Sequence, residues 1–418
     1  MRSEDCARRV SAICWFSYFG SYMGRIVLSA AMPAMISGLG FLKSEFGVIS
    51  TLYYISFAIG QFVCVYAGDK TNPKNMVFFG ISASAVLSAA MSFAASIPAM
   101  AAIWCVNGLA QSFVWPSVMK TLSCRLTAAK SKKAGASLQT AVAAGSFAAY
   151  LITAAVLKFT DDWRAVFMFF GVLDLCFSVF WHVGISKTEK FINKTRDECD
   201  SHEKPGKKPT GEINIPMRKI ILGAGLPFVC AGIIVNGIIR DGLKLWTPTI
   251  VTEVFNLPPS LSNIITMFLP LTSISGVFIS GYLLGKITGI MRVSALFFGL
   301  AAVILISLGV VANKNFMLTI IMICAASSCM IGANSILFGV LPMCFVKFGR
   351  ISAISGFLSA FSCIGSSLSG IAIGFIAQSA GWDFSFAFLG ATAVLGMAAC
   401  VASMKSLERF LNLYKEEH

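Results

Sequence analysis

Apolar stretches of about 20 residues, the length that crosses a bilayer as a helix, recur twelve times along this chain between short polar breaks. They fall at roughly 11–36, 46–68, 74–95, 98–120, 134–157, 163–185, 220–252, 259–285, 290–312, 315–344, 351–379 and 382–404. A sequence of 418 residues that is 56% hydrophobic and only 12% charged cannot hide that much apolar surface in one water-soluble core, so lipid must cover most of its exterior. The expected fold class is therefore an all-α membrane protein with twelve transmembrane helices. The charged opening MRSEDCARRV leads into a full-length span without a small-residue cleavage site, and reads as an uncleaved first helix.

The net charge of +14 raises the question of nucleic acid, and its distribution argues against it. With the amino terminus inside, the outward segments carry only Lys43, Lys158, Arg164 and Lys314, whereas the inward ones carry the rest of the loop Lys and Arg residues. The positive-inside rule then places both termini in the cytoplasm, expected to be on the inner side of the cell membrane. Three cations remain inside spans: Arg25, Arg240 and Lys244. The thirteen cysteines show no paired spacing in an outer loop, so neither disulfides nor a metal site is expected. No phosphate-cradling glycine loop, nucleophile triad or zinc spacing is present, and we expect no enzyme, no cofactor and a monomer whose partners are the bilayer and a small solute.

One long polar stretch, 186–219, mixes both charge signs with Pro and Gly and reads as a cytoplasmic linker. It divides the chain into a six-helix bundle at 1–185, a second at 220–404, and a tail at 405–418. The halves repeat in register. WRAVFMFFG from Trp163 matches WDFSFAFLG from Trp382, an offset of 219, and Arg25 and Arg240 are each followed eight residues on by a proline, Pro33 and Pro248, an offset of 215. Two pseudo-symmetric six-helix bundles with a site between them follow from such a duplication.

An arginine at mid-span costs on the order of 2.5–3.5 kcal/mol on insertion scales, so something must compensate it. Tyr18, Tyr22, Arg25 and Ser29 share one helix face, with no acidic residue between Val10 and Lys43. Asn236, Arg240, Lys244 and Thr247 share another, where the three-residue spacing of Asp241 and Lys244 allows an ion pair that leaves Arg240 unpartnered. Two uncompensated guanidinium forks would suit one doubly charged anion, with Tyr18 and Tyr22 able to donate to it. The bland alternative pairs each arginine with a helix carboxylate such as Asp174 or with backbone carbonyls. Asp174 is also a candidate coupling site.

NGIIRDGLKLWTPT, with Arg240, Gly242, Trp246, Thr247, Pro248 and Thr249, resembles the seventh-helix signature of the organophosphate:phosphate antiporters of the major facilitator superfamily. SYFGSYMGRIVLSAAMP is similar to their first helix, NGLAQSFVWPSVMKT with Gln111 and Trp115 to their fourth, DKTNPK from Asp69 and Lys70 to their second-to-third-helix loop, and GWDFSF to the start of their last. The resemblance implies the major facilitator fold, two phosphate-gripping arginines at Arg25 and Arg240, a gating loop at Asp69 and Lys70, and Gln111, Trp115 and Asn236 near the substrate. The chain departs from the glycerol-phosphate and hexose-phosphate pattern at Ile26, Phe57, Gln61, Ala144 and Cys363, and adds Asp241 and Lys244. The expected function is exchange of an organophosphate for inorganic phosphate by alternating access. The alternatives are a proton- or sodium-coupled symporter of an organic carboxylate, a non-transporting sensor, and, least supported, a membrane enzyme.

Overall fold

A computed structural model of the protein describes residues 2–67, 71–196, 220, 223–312, 314–348 and 351–413. Among the described residues there is no strand, and twelve helical segments are long and apolar enough to cross a membrane. The helices are α1 (Arg2–Leu39), α2 (Lys43–Ala67), α3 (Pro73–Met91), α4 (Ile97–Ser112), α5 (Val114–Arg125), α6 (Ala128–Thr160), α7 (Trp163–Arg196), α8 (Leu226–Phe255), α9 (Pro259–Thr266), α10 (Phe268–Lys286), α11 (Ile290–Val311), α12 (Phe316–Ser335), α13 (Ile351–Ser379) and α14 (Gly381–Leu413). Large apolar side chains such as Phe79, Phe159, Phe278 and Phe375 stay exposed along their outer faces, as a lipid-covered surface requires.

Helix ends and breaks follow local chemistry. The Asn72 side chain accepts from the Lys74 N–H and Pro73 opens α3, so the NPK part of the DKTNPK motif is a capped helix start. Asn315 caps α12 in the same way through the Leu318 N–H. The fourth span breaks at Phe113, and Pro116 would clash with the carbonyl four residues back, at Ser112. The eighth breaks at Met267, where Pro270 stands in the same relation to Thr266. The tenth span ends in a π turn, Ile336–Val340, followed by a 3-10 segment to Phe348. One expectation is corrected: the polar stretch from 186 continues α7 as helix to Arg196, because a helix leaving the membrane keeps its intrahelical hydrogen bonds whether or not its side chains are apolar.

The chain forms two compact units. One comprises Met1–Phe41, Leu52–Gly206 and Pro258–Pro270; the other comprises Leu42–Thr51, Lys207–Leu257 and Leu271–His418. In the first, α1 packs on α6 and α7, and α3 packs on α7. Asn263 on α9 belongs here, its side-chain amide donating to the Ala30 carbonyl at 2.9 Å. In the second, α8 packs on α13 and α14, and α11 packs on α14. The first turns of α2 belong there: Lys43 pairs with Glu253 at 2.7 Å, and Thr51 donates to the Ser367 carbonyl at 2.7 Å.

The two units use one packing scheme. A Cβ at Gly145 on α6 would fall 2.7 Å from the Phe19 carbonyl oxygen on α1, and a Cβ at Gly365 on α13 would fall 2.1 Å from the Ile234 carbonyl oxygen on α8. The glycines are 220 residues apart and the carbonyls 215, against repeat offsets of 219 and 215. In each unit the absence of a side chain lets the arginine-bearing helix lie backbone to backbone against its neighbour. Trp163 and Trp382 likewise sit buried at the start of the last helix of each repeat.

Candidate anion-binding residues in each unit

In the first unit, α1 presents Tyr18, Tyr22 and Arg25 on one face. Arg25 is half-buried, and its buried Nε has no hydrogen-bond partner. Among the described residues no carboxylate lies within ion-pair distance of it. Its guanidinium carbon instead lies 4.4 Å from the centre of the Phe57 ring on α2 and 5.2 Å from that of Tyr22. Aromatic faces attract a cation without neutralising it. Phe57, one of the departures from the family pattern, therefore supports the charge through its ring. Tyr18 is buried and packs its ring 5.0 Å from that of Trp115 on α5, so Trp115 walls the tyrosine face.

Gln111 lies elsewhere. It is buried in a chain of polar groups joining four helices: Ser21 donates to Gln111 Oε1 at 3.1 Å, Gln111 Nε2 donates to Ser84 Oγ at 2.8 Å, and Ser84 donates to Asp174 Oδ2 at 3.3 Å. Asp174 is fully buried, with no basic partner among the described residues and its Oδ1 unpaired. It fits because Gly24 has no side chain; a Cβ there would lie 2.2 Å from Oδ2. Asp174 thus lies against α1 at Gly24, the residue before Arg25, yet forms no ion pair with Arg25.

In the second unit the expectation of an unpartnered Arg240 is overturned. Its Nε donates to Asp241 Oδ1 at 3.0 Å and its Nη2 to Asp241 Oδ2 at 2.6 Å, a bidentate pair between neighbours in sequence. Adjacent helical residues do not normally face each other, and spacing alone favours the three-residue pair of Asp241 with Lys244. Two things decide otherwise. The Arg240 side chain is long enough to swing toward α12 and α13, where Nη1 donates to Asn334 and Nη2 reaches Ser362 Oγ at 3.5 Å. Asp241 is turned the same way by Ser366, whose hydroxyl donates to Oδ2. Lys244, one turn along, acts electrostatically on the same carboxylate. Asn236 is fully buried, and its amide donates to the Met330 carbonyl at 2.9 Å, joining α8 to α12.

Sequence reading missed Ser362, Ser366 and Asn334. The available signal was Gly145-Ser146 recurring as Gly365-Ser366 in the repeat, which marks the close helix contact that brings Ser366 to α8. Asp69 and Lys70, the expected gating residues, lie outside the described residues.

A membrane bundle of twelve spans built from two repeats, each with an arginine on the helix that opens its span set, defines a class of polytopic solute carriers. The Major Facilitator Superfamily model matches residues 14–368, and the chain belongs to that superfamily. A probable hexose phosphate transport protein of Chlamydia trachomatis is 22% identical, over 98% of this chain and 93% of that protein. The membrane sensor protein UhpC of Escherichia coli is 24% identical over 41% of this chain and 39% of its own length. Among solved structures, a bacterial homologue of the human lysosomal transporter Spinster, inward-facing and unoccupied, aligns with a TM-score of 0.75 at 14% identity, over 99% of this chain and 98% of that one. The likeness to organophosphate:phosphate antiporters read from the motifs is borne out by these relatives, and the protein is a multi-pass membrane transporter of the major facilitator superfamily.

Proposed function

We propose that the protein exchanges an organophosphate, such as a sugar phosphate, for inorganic phosphate by alternating access, with both termini in the cytoplasm and the chain in the cell membrane. The observation that carries this reading is Arg25: a guanidinium on a tyrosine-lined helix face, backed by Phe57 and Tyr22, with no carboxylate partner among the described residues. Such a group favours a conformation only when an anion satisfies it, and a planar fork matches a phosphate oxygen pair. Arg240 is assigned the matching role in the second repeat. The relative from Chlamydia trachomatis, similar along nearly its whole length, supports the phosphate ester. Because the ligand has differential affinity for the states that exchange, carriage without it is slow and transport is obligate exchange.

A cation-coupled symport of a carboxylate draws on a different observation, the buried Asp174 carboxylate with one oxygen unpaired. The two readings separate in proteoliposomes. Exchange predicts uptake of labelled phosphate only into vesicles preloaded with phosphate, and release of that label by an external hexose phosphate. Uptake of a sugar acid driven by a pH gradient into phosphate-free vesicles would replace it with symport.

A further inference from the structure

The pair formed by Arg240 and Asp241 differs from an ordinary structural salt bridge in how its carboxylate is held. Asp241 is buried, and besides Arg240 it has the Ser366 hydroxyl donating to Oδ2 and Lys244 acting on it one turn away. If Arg240 swung off, the carboxylate would keep a hydrogen bond and a nearby cation, so it would not become the bare buried charge that makes breaking such pairs prohibitive. Arg240 is equally prepared for release, since Asn334 and Ser362 hold its Nη side independently of Asp241. Both partners are thus held by groups other than each other.

We propose that Asp241 is a specificity-determining residue, a resident counter-ion that occupies the Arg240 fork and excludes monocarboxylates from it. The inference rests on the anion-exchange reading above and narrows its ligand class. A monocarboxylate meeting Arg240 offers two oxygens and one charge, the same as Asp241, but Asp241 is tethered to the neighbouring residue and competes at a high effective concentration. Exchanging like for like gains nothing. A phosphate dianion brings three terminal oxygens and roughly twice the Coulomb attraction, and can displace the tethered group. Discrimination here comes from a built-in competitor as much as from attraction.

The test is equilibrium binding of labelled inorganic phosphate to the purified full-length protein in detergent, with gluconate as the competing monocarboxylate. The parent is expected to bind phosphate and to resist gluconate. Asp241→Asn, which keeps the shape and removes the charge, is expected to bind phosphate about tenfold more tightly and to admit gluconate as a competitor. Ser366→Ala, which only loosens the carboxylate, is expected to shift both in the same direction by less, and carries the test if Asp241→Asn fails to fold. Unchanged or weaker phosphate binding in these variants, with gluconate still excluded, would overturn the inference and leave the exchange reading standing. Equal competition by gluconate in the parent would likewise overturn the inference, while a parent that binds no phosphate would overturn both.

Discussion

Arg25 shows how a cation can be kept inside a membrane span without being neutralised. The Phe57 ring at 4.4 Å and the Tyr22 ring at 5.2 Å contribute on the order of 0.5–2 kcal/mol each, enough to orient the guanidinium and offset much of its insertion cost while leaving its charge in place. On the proposed reading, that charge is left for an anion. Phe57→Ala is accordingly predicted to weaken phosphate binding about three- to thirtyfold, while Phe57→Tyr, which retains the ring face, stays within about twofold of the parent. Titration of the purified variants with labelled phosphate checks both. That Arg25 lacks an acidic neighbour was legible, since no acidic residue lies between Val10 and Lys43. The pairing of Arg240 was not: helical spacing ranks the three-residue Asp241–Lys244 pair above two adjacent residues, and only the direction of α12 and α13, fixed by tertiary packing, reverses that order. The interhelical bonds of Gln111 and Asn236 were not legible for the same reason, because a polar side chain within a span can as well join two helices as face a solute.

Between elements, close backbone approach does the positioning. Gly365 leaves no room for a Cβ against the Ile234 carbonyl, and the same contact brings Ser362 and Ser366 within reach of Arg240 and Asp241. Gly365→Ala must push α8 and α13 apart, since the obstructing atom is backbone. It is predicted to cost about 1–3 kcal/mol and to lower the melting temperature in detergent. Gly281→Ala, where a Cβ meets nothing within 4 Å, is predicted to leave the melting temperature unchanged or slightly raised. The spans themselves were readable, all but two of their ends to within about five residues, because their length is set by the bilayer. Their internal breaks at Phe113 and Met267 were equally available from Pro116 and Pro270, each of which removes a hydrogen bond at the carbonyl four residues back. The onset of the linker was misread because composition marks where a chain leaves the membrane, while the helix of α7 runs on to Arg196.

At the scale of the molecule, the duplication seen in Trp163 and Trp382, and in Arg25 and Arg240, extends to the way helices pack: α1 on α6 and α7 in one unit, α8 on α13 and α14 in the other. The repeat is not equal in charge. One arginine has no carboxylate within ion-pair distance among the described residues and the other carries its own, so on the proposed reading the two repeats contribute differently to anion recognition, with Arg25 as the uncompensated charge. The exchange reading makes both forks necessary, because lysine keeps the charge and loses the planar, two-oxygen grip. Labelled phosphate counterflow in proteoliposomes, comparing Arg25→Lys and Arg240→Lys with the parent at matched reconstitution, tests this most directly. The account predicts exchange reduced by about a hundredfold or more in each variant; exchange retained near the parental rate in either one would contradict it.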